Sequence, residues 1–233
     1  DPETHRVPRG PAPADPPVDP LPVEVLVVAS DGDRDALNRT LALASVDGPV
    51  AVRVLDSSAR TDLEKEADRH GATYEVHQGA RGAELFGIAM QTSGTPFVVW
   101  LDAGDVPVPG LLGLVRSFDD PDVAVVQSAA DLVNRDSLLH LTPDHDEHAL
   151  GNRVAGPSLD RVGAAPWEGS GSIVRVSAIE GIGGLSAGRG SSTHRAALRL
   201  ARAGMSVRFC SEPLVRTVAP DTLSDYLAIE EQA

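Results

Sequence analysis

Two carboxylates stand where a protein can use them. Asp56 closes the run Val50-Ala-Val-Arg-Val-Leu-Asp56, and Asp102 closes Pro96-Phe-Val-Val-Trp-Leu-Asp102. In open α/β sheets ligands sit outside the carboxyl ends of the strands. If both runs are strands of one such sheet, both acids lie on the ligand-binding rim. Other chemistry-bearing residue types admit plainer readings. Asp144-His-Asp-Glu-His148 has metal-compatible residues, and a helix would put His145 and His148 on one face. The spacing implies no third ligand, and runs of this kind are commonly solvated surface. Glycines 183, 184, 188 and 190 suggest a phosphate loop, yet no Gly-x-x-x-x-Gly-Lys pattern occurs. The single cysteine, Cys210, lies in the apolar stretch Val207-Arg-Phe-Cys210 and reads as a buried structural thiol. One cysteine excludes an internal disulfide and a cysteine-rich metal site, and is compatible with a reducing compartment.

The elements that would position the two acids are legible from periodicity. Residues 23–29 form a near-continuous apolar run, as expected of a strand covered on both faces. Helical spacing follows over 34–44, a strand over 50–56, and a helix over 61–70 stopped by Gly71. A short strand over 73–77, a helix over 82–90 and a strand over 96–102 complete the first half. Then come a helix at 111–118, a strand at 123–127, a helix near 146–153, a helix at 196–203 closed by Gly204, and a strand at 206–210. Alternation of this kind predicts a mostly parallel sheet with helices on both faces. Residues 1–22 contain eight prolines and no apolar periodicity, which predicts an extended or disordered linker before a domain spanning 23–233.

Composition narrows the partners. The chain has 233 residues, 42% hydrophobic but only 3% aromatic, so a real core is built mainly from small aliphatic side chains. A net charge of −14 argues against nucleic acid or an anionic membrane as partner, because phosphates would be repelled. No run approaches the eighteen apolar residues needed to cross a bilayer. The chain opens at Asp1 rather than Met and is expected to be a piece of a longer protein. The expected location is cytoplasmic, with any membrane attachment supplied through that parent.

Several segments, in order along residues 23–233, resemble family 2 glycosyltransferases of the cellulose-synthase-like kind. Val54-Leu-Asp56-Ser-Ser is similar to the family's nucleotide-contacting strand end, and Trp100-Leu-Asp102-Ala-Gly-Asp105-Val-Pro to its acidic metal motif. Val125-Val-Gln127-Ser and Asn134-Arg-Asp136 follow the family order. The most specific match is Gly169-Ser-Gly-Ser-Ile-Val-Arg175-Val-Ser-Ala-Ile-Glu-Gly-Ile-Gly183-Gly184, and Pro220-Asp-Thr-Leu resembles a further family stretch. The resemblance implies an α/β, GT-A-type three-layer domain with a mostly parallel central sheet. It also implies a nucleotide-diphosphate sugar as donor, held by Asp56, Asp102 and Arg81. Asp102 and Asp105 would hold Mg²⁺ or Mn²⁺, which neutralises the leaving diphosphate. Trp167, Gly169, Ser170 and Gly171 would form the acceptor side. Trp167 has two readings, an aromatic platform for an acceptor sugar or a buried structural ring.

The chain also departs from the pattern. Gly104 replaces the second acid of Asp-x-Asp, so Asp102 and Asp105 read either as metal ligands or as a strand end and a turn before Pro107. The general base of the family falls on Ser191-Ser-Thr193, and a threonine hydroxyl cannot serve as a base near neutral pH. His194 is adjacent and has a suitable intrinsic pKa, but it reads equally as a capping or surface residue. The place of the Gln-x-x-Arg-Trp motif falls on Ile229-Glu-Glu-Gln-Ala233, where none of the three defining residues survives. Two functions therefore compete. One is a catalytically impaired relative that binds a nucleotide, a sugar or a protein partner in polysaccharide or cell-wall glycan assembly. The other is an active, metal-dependent inverting transferase with an atypical base.

Overall fold

Side chains alternate across a strand, so a run that is apolar throughout has to be covered on both faces. The first strand, β1 (Val23–Val28), shows this. Val25 and Val27 enter one hydrophobic cluster, Leu26 and Val28 enter another, and all four are buried. The computed structural model describes residues 23–29, 34–134, 150–185 and 192–218. The proline-rich 1–22, the acidic-histidine run 144–148, Gly188, Gly190 and the stretch 220–233 lie outside them.

From β1 the chain runs through α1 (Arg34–Leu41), β2 (Ala51–Asp56), α2 (Thr61–Arg69), β3 (Thr73–Val76), α3 (Gly82–Met90) and β4 (Phe97–Asp102). It continues through β5 (Val106–Pro107), a 3₁₀ segment (Leu112–Asp119) and β6 (Val123–Leu132). A π-helical turn (Gly151–Ala155) leads into α4 (Gly156–Asp160). The last elements are β7 (Ser172–Arg175), α5 (Val176–Gly181), α6 (Ser192–Arg202) and β8 (Ser206–Thr217). Among the described residues the strands form one sheet in the order β3-β2-β1-β4-β7-β6-β8-β5. Pairing is parallel from β3 to β4 and between β6 and β8, whereas β7 runs antiparallel to β4 and β6, and β5 antiparallel to β8.

The helices cover both faces, making three layers. Leu37, Leu41, Leu63, Leu112, Leu114 and Phe118 pack on one side; Leu85, Phe86, Met90, Ile179, Ala196 and Leu200 pack on the other. Within buried β2, Arg53 is compensated by Glu24 at 2.8 Å, Glu75 at 3.0 Å and the Thr92 hydroxyl at 2.7 Å. Cys210 is buried, as its surroundings in sequence predict, and burial pushes its thiol up.

The elements read from periodicity recur with shifted ends, and three differences are informative. Residues 112–119 wind as a 3₁₀ rather than an α-helix. The helix near 146–153 is described only from residue 150 and extends to Asp160. Strands β5 and β7 and helix α5 went unread because two to six residues hold too few repeats for a pattern to stand out. The antiparallel β7 lies within the most specific stretch of the resemblance, directly after the expected acceptor-side residues Gly169, Ser170 and Gly171.

Strand order reverses between β1 and β4. The chain moves outward from β1 to β2 and β3, then returns past β1 to β4. Brändén-type crevices form at such a switch point. Asp102 is paired with Val28 there, and Ala103 N–H donates to the Val28 carbonyl at 2.8 Å. Ala29 N–H reaches the Leu55 carbonyl and His77 N–H the Asp56 carbonyl, both at 2.8 Å, so the ends of β1 to β4 form one rim.

Candidate functional site

The rim places Asp56 and Asp102 where the sequence predicts, but it assigns them different work. Asp56 is fully buried. Its Oδ1 accepts the Ser58 N–H at 3.0 Å and the Ser58 hydroxyl at 2.9 Å; its Oδ2 accepts the Arg60 N–H at 2.7 Å and the Tyr74 hydroxyl at 2.5 Å. The turn that wraps it is tight enough to hold Ala59 at φ +56°. Burial pushes the Asp56 carboxyl up, but the donors from Arg60, Tyr74 and Ser58 outweigh it and hold the group below its ordinary range. The same contact works in reverse on Tyr74: burial first and then the Asp56 charge raise its phenol. A carboxylate with four protein donors and no exposed surface closes the β2–α2 turn. The resemblance implies a nucleotide contact for Asp56; in this structure its carboxylate oxygens are taken up by these protein donors.

Asp102 is exposed at the switch point. Its Oδ1 accepts the Trp100 indole N–H at 2.9 Å. Its backbone N–H is shared between Asp105 Oδ2 at 3.0 Å and Ser170 Oγ at 2.9 Å. Thr40, buried in α1, accepts the Gly104 N–H at 2.9 Å and so fixes the turn that follows. Asp105 is turned the other way. It is 5% exposed, and its Oδ2 accepts the Ser170 hydroxyl as well as the Asp102 N–H. Burial pushes its carboxyl above the ordinary range, against the hydrogen bonds from Ser170, Asp102 and Thr217.

The 169–171 loop is held from below by a residue that sequence reasoning treated only as part of a motif. Gln127 is 2% exposed. Its Oε1 accepts the N–H groups of Glu168 at 3.0 Å and Gly169 at 3.3 Å, while its Nε2 donates to the carbonyls of Ser170 at 2.9 Å and Ser128 at 3.1 Å. An amide at the end of the apolar run Val123-Ala-Val-Val was the available signal. Gly169, at φ +109°, lies against the Trp100 ring, where an added Cβ would stand 3.3 Å from the ring. Gly169→Ala is therefore expected to cost about 1–3 kcal/mol through backbone strain and displacement of Trp100. Thermal unfolding checks this.

Trp167 settles its two readings structurally. The ring is completely buried, its indole N–H donates to Ser172 Oγ at 3.1 Å, and it meets Trp100 edge-on at a centroid distance of 6.4 Å. Trp100 in turn stacks on Phe86 at 4.3 Å. Trp167 is thus part of the core beneath the loop, with no exposed ring for an acceptor to stack on. Arg81 is exposed immediately before α3. His194 is exposed in the first turn of α6, next to Thr193, which is buried. The structure therefore brings Asp102, Asp105, Ser170 and the two flanking glycines together. Asp56 lies two strands away at the end of β2.

A divalent cation needs oxygen lone pairs turned toward one point. Asp105 directs its carboxylate inward onto protein donors. Among the described residues no group of three or more His, Cys, Asp and Glu could hold a metal ion. Of the expected Asp102–Asp105 pair, Asp102 is exposed on the rim and Asp105 is 5% exposed.

A family model described as glycosyl transferase family group 2 matches residues 97–230, more than half of the chain. The chain belongs to this family. Cellulose synthase 1 of Komagataeibacter xylinus is 26% identical over 231 residues, covering 92% of this chain and 15% of the relative. The chain thus spans a small fraction of that protein's length. Among solved structures, a mannosyltransferase from Pyrobaculum calidifontis in complex with GDP-Man and Mn²⁺ superposes with a TM-score of 0.66 at 16% identity, covering 94% of this chain and 63% of the other. Glucosyl-3-phosphoglycerate synthase from Mycobacterium tuberculosis, in complex with Mn²⁺, UDP-Glc and phosphoglyceric acid, gives 0.59 at 16% identity, covering 90% and 76%. At these identities the likeness establishes the GT-A fold. In this family 2 glycosyltransferase domain, no helix among the described residues is long and apolar enough to cross a membrane.

Proposed function

We propose that this family 2 glycosyltransferase domain is catalytically impaired and acts as a binding module in polysaccharide or cell-wall glycan assembly. Its ligand is a nucleotide-diphosphate sugar taken at the Asp102 rim, and it serves on the cytosolic side of a longer, membrane-associated protein. The observation that carries the reading is the start of α6, where the family's base is expected. The helix opens with Ser192, buried Thr193 and exposed His194, and no carboxylate occurs along Ser192–Arg202. Without a base in place the acceptor hydroxyl keeps its proton, and general base catalysis is worth about 10²–10⁴-fold in rate. The inward set of Asp105 supports the same reading. So does the likeness to a cellulose synthase, a protein named for polysaccharide synthesis. The solved relatives hold UDP-Glc or GDP-Man in the same fold, which supports the choice of ligand class.

Calorimetric titration with UDP-glucose and GDP-mannose, with and without Mn²⁺, tests this beside an assay for released UDP or GDP. The expected result is saturable binding of one donor, weakened by Asp102→Ala, with no nucleotide released. Turnover lost in His194→Ala would replace this reading with an active transferase that uses an atypical base. No binding at millimolar donor would leave a protein partner as the ligand.

A further inference from the structure

We propose that Asp105 is the anchor of a buried lock joining the β4 turn to the 169–171 loop, and that it is not a cation ligand. This deepens the proposed function by leaving Asp102 as the one carboxylate of the pair on the rim. It rests on reading that rim as the ligand-binding surface.

The geometry closes on itself. Ser170 Oγ accepts the Asp102 N–H at 2.9 Å and donates to Asp105 Oδ2, which also receives the Asp102 N–H at 3.0 Å. Asp105 and Ser170 are 65 residues apart in sequence, so this triangle joins two distant segments. Thr217, at the end of β8, supplies a further donor to the same carboxylate. Gln127, reaching from β6, clamps the other side of the loop through the Ser170 carbonyl and the N–H groups of Glu168 and Gly169. Three segments therefore converge on a carboxylate that is 5% exposed, and Gln127 holds one of them from a fourth. The Asp102 N–H and the hydroxyls of Ser170 and Thr217 each present a hydrogen to it, the positive end of their dipoles. A cation approaching the same oxygen would meet repulsion and would have to strip those donors from a buried site.

The two roles separate experimentally without any donor sugar. Thermal unfolding and titration with Mn²⁺ alone, followed by loss of the free-ion electron paramagnetic resonance signal, are measured on the whole chain and on D105N, D105A, S170A and D105A/S170A. The Asp102 and Ser170 donors use one oxygen, which an asparagine carbonyl can supply, and the Thr217 hydroxyl can accept as well as donate. D105N is therefore expected to melt within about 2 °C of the unaltered chain, on the scale of about 2–4 °C per kcal/mol for this size, and to bind Mn²⁺ as it does. D105A and S170A are each expected to melt several degrees lower, and the double variant to lose clearly less than the sum, as partners in one network do. Mn²⁺ affinity falling tenfold or more in D105N at unchanged melting temperature would overturn the lock. So would an S170A variant that melts like the unaltered chain. S170A keeps every carboxylate and decides the question even if the Asp105 variants fail to fold. Failure of donor binding in the preceding titration leaves this result untouched.

Discussion

Asp56→Ala is expected to lower the unfolding free energy by about 3–5 kcal/mol, one of the two largest single effects in the domain. Alanine strips the acceptor from the Ser58 N–H, the Ser58 hydroxyl, the Arg60 N–H and the Tyr74 hydroxyl at once. A buried donor left without a partner costs about 1–3 kcal/mol. The sum is trimmed because Ser58 can turn toward water and Tyr74 keeps a bond to the Arg60 carbonyl at 3.1 Å. For a domain of this size the melting temperature should fall by roughly 10 °C. Asp56→Asn, which keeps one acceptor oxygen, should fall between.

The same carboxylate gives a pH signature. Its folded pKa is held below the ordinary value, so its ionised form stabilises the fold. That contribution is fully present above the unfolded carboxyl's pKa, near 4. It is lost as pH falls through the lower, folded value. Denaturant unfolding from pH 7 down to pH 2 should show this acid-side loss in the unaltered chain, and a shallower one in Asp56→Asn. A stable Asp56→Ala variant that had lost nucleotide affinity would instead restore Asp56 to the donor site.

Gln127→Leu should rival it, at about 3–5 kcal/mol. The side chain fits by volume, but two loop N–H groups and the carbonyls of Ser170 and Ser128 lose their partner in a buried setting. Partly satisfied buried polar networks are costly for this reason. Gln127→Glu separates polarity from shape. A carboxylate keeps the acceptor for Glu168 and Gly169 but sets an anionic oxygen against two carbonyls. It should therefore recover only part of the loss at neutral pH and more of it in acid, where the carboxyl is protonated. Donor affinity should fall with stability in both variants, since the loop beside Asp102 depends on this amide. Equal melting temperatures for Gln127→Leu and the unaltered chain would count against the clamp.

Much of the frame was readable from residues alone. Strands β1, β2 and β4 are continuous apolar runs because both of their faces are covered. An acid at the end of such a run has to lie at the edge of the sheet. That logic located Asp56 and Asp102 on one rim, and the ordered motifs pointed to the family. Local signals failed where the stretch held too few repeats to show a pattern, as in Ser172–Arg175, or where winding depended on packing, as in the 3₁₀ segment Leu112–Asp119.

What each rim carboxylate does was not readable, because local donors leave each set incomplete and the partner that completes it is distant in sequence. Asp56 is filled in part by Tyr74, 18 residues on, and Asp105 by Ser170, 65 residues on. Trp167 likewise went to the core because Trp100 and Ser172 receive it there. The sequence by itself determined the alternating α/β order, the acids at the strand ends and the family. Only the tertiary structure decided that two of the three acids face inward, because the donor that completes each set, Tyr74 for Asp56 and Ser170 for Asp105, is brought near by the fold alone.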